Sequence, residues 1–537
     1  MAKRKRSGTI AAAAATKASS SSSSSKPDTS KPKSASTPPA CPTPSPFTIQ
    51  IVAGSYDRVL HGLTARIKPT PTSTSTAFAD TFLFNAHNSA IRSVALSPPS
   101  LPIAGQGQKI FLASGSTDER INIYNLSAHE PKTQPTDAST DEKLLASLAP
   151  RPISENKKNR EVGALMHHSS SVNALAFPTR GKLLSAGEDS VIGVTRVRDW
   201  QLLSTIKVPI PKAHGRPTGD TAVFGGQPAG VNDFAVHPSL KVMISVSRGE
   251  KAMRLWNLVT GKKAGVLNFG RDVLVQAGEG KHSSGEGRHV RWGSTTADGD
   301  EFAVAFERDV VVFGMDSTPK CIVLGSVRTK VHQIAYVRLD ETQPADEAGD
   351  CLLAVSTEDG RVLFYSTRES DLTKTDSADS DSESDDEESS LPTAKLVAQI
   401  GGRSAGVSSR IKDFKVLRCP DSSFAVVAGS SDGRIRVWRV PASELQMPPM
   451  VAAEEGKAGG AKRAKKDKKT NKSAAAKEMA KPPTAPLVGE LVGTYETQNR
   501  ITCLEAFVMI PRPDGLEDSE DEEEESESED EDEDGDE

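Results

Sequence analysis

One pattern recurs along this chain and narrows what it can fold into. It is an apolar strand, a bend of small residues carrying an acid, and an alternating strand that ends in an aromatic. Phe111–Leu126 reads FLASGSTDERINIYNL, Phe424–Val440 reads FAVVAGSSDGRIRVWRV and Cys351–Thr367 reads CLLAVSTEDGRVLFYST. Their acids are Asp118, Asp432 and Asp359, and their closing aromatics are Tyr124, Trp438 and Tyr365. Weaker copies are Lys182–Val197 with Asp189, Lys241–Leu258 with Glu250 and Trp256, and Phe302–Met315 with Phe313 near the aromatic slot. The apolar runs are short and bounded by Gly, Ser, Asp and Asn, which is strand-and-turn chemistry, and helical periodicity is nearly absent. A unit this small does not bury its own apolar face, so its copies must stack on one another.

The pattern resembles the WD40 family, whose repeats are four-stranded propeller blades of about 40–45 residues. Family blades carry a His ahead of the first strand, matched here by His87, His168 and His214. The resemblance implies a buried network of that His, a Ser or Thr, the turn Asp and the Trp. Only the blade with His87, Ser114, Asp118 and Tyr124 nearly completes it. Thr195 takes the aromatic slot of the next blade, and Ala428 takes the serine slot of the last. Asp189, Trp256, Asp359, Asp432 and Trp438 are the remaining expected members of such networks.

Counting the blades requires closing a circle. Phe47–Ala53, Val59–Ile67 and Phe78–Phe84 are three strands lacking a first partner, while Arg500–Ile510 (RITCLEAFVMI) is one strand without successors. Joined, they complete a blade shared by both ends, which leaves no unpaired strand edge. The expected fold is therefore all-β, a seven-bladed WD40 β-propeller over 47–511 with terminal strand closure. The other six blades are centred near 115, 185, 245, 305, 355 and 430.

Composition sets the remaining boundaries. Apolar residues are 36% of the chain, and the deficit is local. Residues 1–46, 127–160, 370–392, 441–485 and 512–537 are dominated by Ser, Pro, Ala, Lys, Asp and Glu, and such stretches bury too little apolar surface to offset the entropy of ordering them. They are expected to be a disordered leader, three disordered insertions and an acidic disordered tail; a further chain-specific insertion is expected at 207–229. Glu517–Glu537 holds 17 acids and no base while the whole chain is at −6, so the rest is net basic. A basic body with an acidic tail fits contact with a polyanion tuned by an internal competitor, or simple solubility. Cys41, Cys321, Cys351, Cys419 and Cys503 form no CxxC pair, against a disulfide framework or zinc site. With no signal-peptide core or apolar run of membrane length, the expectation is a soluble intracellular protein without membrane contact.

Catalytic chemistry finds no motif. Gly280-Lys281 is followed by His282 rather than Ser or Thr, and no strand leads into a helix there. Gly278–Val290 reads as a glycine-rich loop between blades. GxSxG and HExxH are missing, and His167 and His168, read as neighbours on a strand, point to opposite faces and do not share a metal. The expectation is a non-enzyme with no cofactor and no small-molecule substrate.

Charged runs carry other information. Lys3, Arg4, Lys5 and Arg6, and the cluster Lys462, Arg463, Lys465, Lys466, Lys468 and Lys469, read either as nuclear-import signals or as solvated charge. Neither contains an aromatic, so non-specific, salt-sensitive phosphate contact is the most they offer an RNA. Ser382, Ser384, Ser519, Ser526 and Ser528 are followed by acids, a context favoured by acid-directed kinases. Phosphorylation would add about −1.5 to −2 charge at each; an unmodified acidic spacer is the other reading.

Three stretches carry a narrower resemblance. They are Gly54, Tyr56, Asp57, Val59, Leu60 and Gly62; Gly163, Ala164, Leu165, His167 and His168; and Trp256, Asn257, Leu258, Val259 and Gly261. They resemble the PAK-interacting protein family, whose fungal members form the maintenance-of-killer group. The resemblance implies a nucleolar scaffold in assembly of the large (60S) ribosomal subunit and pre-rRNA maturation, with pre-ribosomal large-subunit proteins as partners and non-specific rRNA contact through the basic arms. It also implies an alternative, restraint of a p21-activated kinase. A third reading, a cullin ubiquitin-ligase substrate receptor, lacks its Trp-Asp-x-Arg sequence: the candidate sites read Trp256-Asn257-Leu258-Val259 and Trp438-Arg439-Val440-Pro441.

Overall fold

The computed structural model describes residues 46–69, 74–103, 106–131, 152–210, 230–280, 283–295, 299–325, 328–339, 351–373, 390–446 and 486–512. They build seven four-stranded antiparallel sheets, the blades of a β-propeller. The first blade joins β28 (Ile501–Val508) to β1 (Phe47–Ser55), β2 (Val59–Pro69) and β3 (Thr74–Asn85). The second is β4 (Ile91–Leu96), β5 (Lys109–Ser116), β6 (Ile121–Ser127) and β7 (Arg160–Leu165). The third is β8 (Val172–Thr179), β9 (Lys182–Gly187), β10 (Val191–Arg196) and β11 (Gln201–Lys207). The fourth is β12 (Val231–Val236), β13 (Val242–Ser247), β14 (Ala252–Asn257) and β15 (Lys262–Asn268). The fifth is β16 (His289–Thr295), β17 (Gly299–Ala305), β18 (Val310–Gly314) and β19 (Pro319–Ile322). The sixth is β20 (Val331–Arg338), β21 (Cys351–Thr357), β22 (Arg361–Ser366) and β23 (Lys395–Gly401). The seventh is β24 (Ile411–Arg418), β25 (Ser423–Ser430), β26 (Arg434–Pro441) and β27 (Glu490–Glu496).

The expected closure is present. β1 pairs antiparallel with β28, Ile49 opposite Val508 and Ala53 opposite Leu504. Every residue of β1 is buried, the polar Thr48, Gln50 and Ser55 included. Apolar cores sit at the seams between blades. At the closing seam Ile49, Ile51, Leu63 and Ala65 pack on Val427, Ile435, Val437 and Leu504; at the next, Val52 and Leu60 meet Ile91, Leu112 and Tyr124. Each blade thus buries both faces against neighbours, as its short apolar strands demand.

Inner strands align from blade to blade. The Ser93 hydroxyl accepts the Leu175 N–H at 3.1 Å, Asn173 Nδ2 donates to the Val231 carbonyl at 3.0 Å and Asn232 Nδ2 to that of Gly287 at 2.9 Å. Strand direction alternates within each antiparallel blade, so connections fall on two faces. The upper face carries the starts of the inner strands and the acid-bearing turns. The lower face receives the first-to-second and third-to-fourth strand connections. The chain enters β1 and leaves β28 on the lower face.

The described ends of the expected insertions are part of the packed ring. Ser127 ends β6, His129 bridges Ile510, and Thr373 pairs with Thr393. Ala442–Leu445 forms a one-turn helix that puts Leu445 into the seam between the sixth and seventh blades. One helix interrupts the strand pattern between β15 and β16: α1 (Arg271–Gln276) places Leu274 in the seam of the fourth and fifth blades. The remainder of the insertions, the leader to residue 45 and residues 513–537 lie outside the described residues, with Cys41 and His214. Cys321, Cys351, Cys419 and Cys503 are buried.

Candidate functional site

The acidic turn is the local device from which each blade is organised. In the second blade Asp118 sits between β5 and β6, and its Oδ1 accepts the Arg120 N–H at 3.1 Å, closing the turn. Glu119 takes a φ of 70° there, as do Ser190 at 59°, Gly360 at 80° and Gly433 at 81° in the matching turns. Asp118 Oδ2 accepts the Asn88 N–H at 3.0 Å from the loop entering the blade and lies 3.1 Å from His87 Nδ1. His87 Nε2 is 2.8 Å from the Ser114 hydroxyl on β5. An ionised carboxylate only accepts, so His87 Nδ1–H donates to Asp118.

Electrostatics agree with that assignment. Burial is the largest influence on His87 and lowers its pKa despite the carboxylate beside it, so the ring is neutral and its Nε2 accepts the Ser114 proton. Burial acts to raise the Asp118 pKa, but the Asn88 N–H, the His87 ring and the Arg120 N–H together hold it below its ordinary value. Tyr124, in the aromatic slot, is buried and its phenol is pushed up to about 12 by desolvation.

The third blade repeats the His–Ser–Asp part of this network, which sequence reading found nearly complete in the second blade alone. His168 Nδ1 lies 3.0 Å from Asp189 and Nε2 2.8 Å from Ser185; Asp189 also accepts the Ser169 and Val191 N–H groups at 3.2 and 3.1 Å. Thr195 in the aromatic slot hid it, although Ser185 stands four residues before Asp189 as Ser114 does before Asp118. His167 and His168 lie in the loop between β7 and β8, not on a strand. His168 turns inward to Asp189, and the half-buried His167 has its pKa lowered by burial and by His168.

Other blades use different partners for the same slots. Trp256 Nε1 donates to the Ser245 hydroxyl at 2.8 Å, and Glu250 pairs with Arg254. Asp359 accepts from Arg361 Nε at 2.6 Å and from the Thr357 hydroxyl. Asp432 closes its turn onto the Arg434 N–H at 3.1 Å and pairs with Arg436 at 3.2 Å, next to buried Trp438. Arginine is thus the partner of the turn acid in three blades. In the first blade His61 meets Asp80 at 2.8 Å, a pair the turn pattern did not flag because it joins two strands rather than a turn and a loop.

These side chains hold the fold and leave the two faces as the surfaces open to other molecules. Among the described residues no cluster of three His, Cys, Asp or Glu side chains is placed to hold a metal ion, and no helix is long and apolar enough to cross a membrane. An open groove between the second and third blades is lined by Phe111, Asn125, Arg160, Arg180 and Trp200, with Trp200 edge-on to Phe111 at 5.4 Å and Arg180 over its ring. The import candidates Lys3, Arg4, Lys5, Arg6, Lys462, Arg463, Lys465, Lys466, Lys468 and Lys469 lie outside the described residues, as do Ser382, Ser384, Ser519, Ser526 and Ser528.

Comparison with known proteins adds to this geometry. The WD40 family model (WD domain, G-beta repeat) matches residues 159–194, from the last strand of the second blade into the third, and 408–439 in the seventh. Protein MAK11 of Saccharomyces cerevisiae is 28% identical over 416 residues, covering 74% of this chain and 78% of that protein. A p21-activated protein kinase-interacting protein 1-like protein of Gallus gallus is 22% identical over 406 residues, 76% of this chain and 77% of its own. The human p21-activated protein kinase-interacting protein 1 is 23% identical over 409 residues, 76% and 74% respectively.

Proposed function

We propose that this chain, a WD40-repeat propeller homologous to MAK11 and to the p21-activated kinase-interacting proteins, is a nuclear, mainly nucleolar scaffold in assembly of the large ribosomal subunit and pre-rRNA maturation. The observation that carries the reading is homology to MAK11 over most of the chain, together with the three sequence segments that resemble that group. Propellers of this kind are typically non-catalytic docking platforms, so the ring holds large-subunit assembly proteins on its faces. The basic runs at 3–6 and 462–469 direct nuclear import and add salt-sensitive attraction to rRNA. Phosphorylation of Ser382, Ser384, Ser519, Ser526 and Ser528 adds to the charge of the acidic arms. The test is sedimentation of the tagged chain on a gradient, joined to its depletion. Co-migration with large pre-ribosomal particles and loss of large-subunit precursors on depletion are expected; normal precursor and subunit levels would sink the reading.

A second reading follows from the printed names of the relatives: binding and restraint of a p21-activated kinase. Recovery of untagged kinase with the full chain, abolished by substitutions on one face of the ring, would favour it.

A further inference from the structure

We infer that the upper mouth of the central channel is a binding site for single-stranded RNA backbone, built from basic side chains of adjacent inner strands and independent of the basic arms. The inference deepens the pre-ribosomal reading by naming a surface and its ligand.

The seven inner strands share a register. Ile91, Val172, Val231, Val290, Val331, Ile411 and Ile501 are the buried residues that open them. The residue before this position is Ala90, Ser171 and Gly230 in the second, third and fourth blades. In the fifth, sixth, seventh and first blades it is His289, Lys330, Arg410 and Arg500. The residue after it is Arg291, His332 and Lys412 in three of those blades, and Arg92 extends the run into the second. The inner strands are irregular here, with register shifts between Ile91 and Ser93, Val331 and Gln333, and Ile411 and Asp413; the flanking positions still lie close together, since Lys412 feels the charges of Arg410, Arg500 and Lys330. The result is an arc along one part of the rim whose cations are Lys330, Arg410, Arg500, Lys412 and Arg92, with His332 neutral among them.

Carboxylates offset only part of this arc. Glu307 serves both Lys330 at 3.2 Å and Arg288 at 3.3 Å, and Glu358 stands 3.7 Å from Arg410. Asp233 pairs with Arg291 at 2.6 Å and His289 at 3.1 Å, deeper in the channel. Asp57 accepts the Arg500 backbone N–H rather than its guanidinium. Neither Lys412 nor Arg92 has an ion pair among the described residues. Like charges press on one another: burial and then Arg410, Arg500 and Lys330 lower the Lys412 pKa, and burial with Lys412, Lys330, Arg410 and His289 takes His332 to about 3.

Buried donors without acceptors collect at the same rim. Arg288 Nε, Thr329 Oγ1 and His332 Nε2 have no hydrogen-bond partner, and a buried donor left unpaired costs about 1–3 kcal/mol unless a ligand accepts from it. Phosphate oxygens supply such acceptors together with negative charge. An aromatic completes the chemistry. Tyr56 is 59% exposed, with the Arg500 guanidinium over its ring at 5.5 Å and its backbone N–H donated to the Arg500 carbonyl. Basic tracks flanked by an exposed aromatic face suit single-stranded nucleic acid, whose bases stack while its phosphates are held. An acidic peptide would use the charge and leave the Tyr56 face idle.

The test is anisotropy of a labelled mixed-sequence RNA oligonucleotide titrated with full-length protein over a range of salt. The variants are Lys330→Gln/Arg410→Gln/Lys412→Gln, Tyr56→Ala, and one with the basic residues of 462–469 changed to Gln. The triple variant should bind roughly tenfold or more weakly near physiological salt and lose about 2 from the log–log salt slope, at about 0.7 per phosphate contact on a single strand. Tyr56→Ala should weaken binding several-fold with the slope unchanged. Arg410→Gln/Arg500→Gln, at exposed positions, replaces the triple variant if that one does not fold. Wild-type affinity and slope in a folded arc variant, with all loss confined to the 462–469 variant, would overturn the inference. So would loss of labelled polyglutamate binding with RNA binding intact, which would assign the arc to an acidic protein. The assay contains no ribosomal particle, so its outcome and that of the gradient experiment are separable.

Discussion

The carboxylate of Asp413, on the inner strand of the seventh blade, accepts the backbone N–H of Leu504 at 2.8 Å. That bond ties the chain's last strand to the blade before it, as Ser93 ties Leu175 between the second and third blades. Leu504 adds its side chain to the closing seam, so a polar clasp and an apolar contact fasten the same residue.

Deleting residues 486–537 removes β27 and β28 and opens the ring, whereas deleting 517–537 leaves every described residue in place. The first truncation should lower Tm strongly or abolish cooperative melting, and the second should melt with the full chain. Equal melting temperatures for both would refute closure by β28. Leu504→Ala, a milder probe, should cost about 2–5 kcal/mol through the cavity it leaves.

His87→Ala should destabilise the ring by about 2 kcal/mol, since it strips partners from both the Ser114 hydroxyl and the buried side of Asp118. His168→Ala should do the same in the third blade. A His87→Ala/Ser114→Ala double-mutant cycle by denaturant unfolding should show coupling of at least about 0.5 kcal/mol. Additive losses would mean that the two side chains do not act as one network.

Gly433 holds a φ of 81°, and a Cβ there would stand 2.8 Å from the Asn499 carbonyl oxygen, just ahead of the closing strand. Gly433→Ala should cost about 1–3 kcal/mol. Gly406 also has a positive φ, 74°, but meets nothing within 4 Å, so Gly406→Ala should cost less. Thermal melts of the two variants compare a clash plus backbone strain with strain alone.

Asp309 is fully buried, and burial raises its pKa from 3.8 to about 7 against the Leu324 and Val310 N–H bonds and Arg328. A carboxyl whose folded pKa is raised contributes stability below the unfolded value and loses it as pH rises through the folded one. At about 1.4 kcal/mol per pH unit between 3.8 and about 7, the swing is on the order of 4 kcal/mol. The stability of wild type relative to Asp309→Asn should therefore fall between pH 5 and pH 8. A constant difference across that range would show that Asp309 ionises normally.

The ring and its closure were legible because strand, turn and aromatic repeat with little disguise, and because strands stranded at both ends of the chain needed each other. The networks were legible only where His, Ser, Asp and an aromatic all stood in their slots, as in the second blade with Tyr124. Ser185 and His168 stood at the right spacing, yet Thr195 obscured the blade; the partners of Asp359 and Asp432 were hidden because arginine satisfies a turn carboxylate as well as histidine does. α1 was missed because six residues carry too little periodicity and only Leu274 is buried. The division of connections between two faces follows from counting strand reversals. The cationic arc needed the shared inner-strand register, since its members are scattered over the chain from Arg92 to Arg500.

Closure by β28 also has a consequence in time. The ribosome makes β1 early, and about 450 residues pass before its partner exists, roughly 25–90 s at ~5–20 residues per second. Throughout that interval a nine-residue strand has one hydrogen-bonding edge with no native partner, an invitation to pair with other nascent chains. Birth is therefore the vulnerable period of this protein, and slowing translation ahead of residue 501 should increase its aggregation without changing one contact of the finished ring.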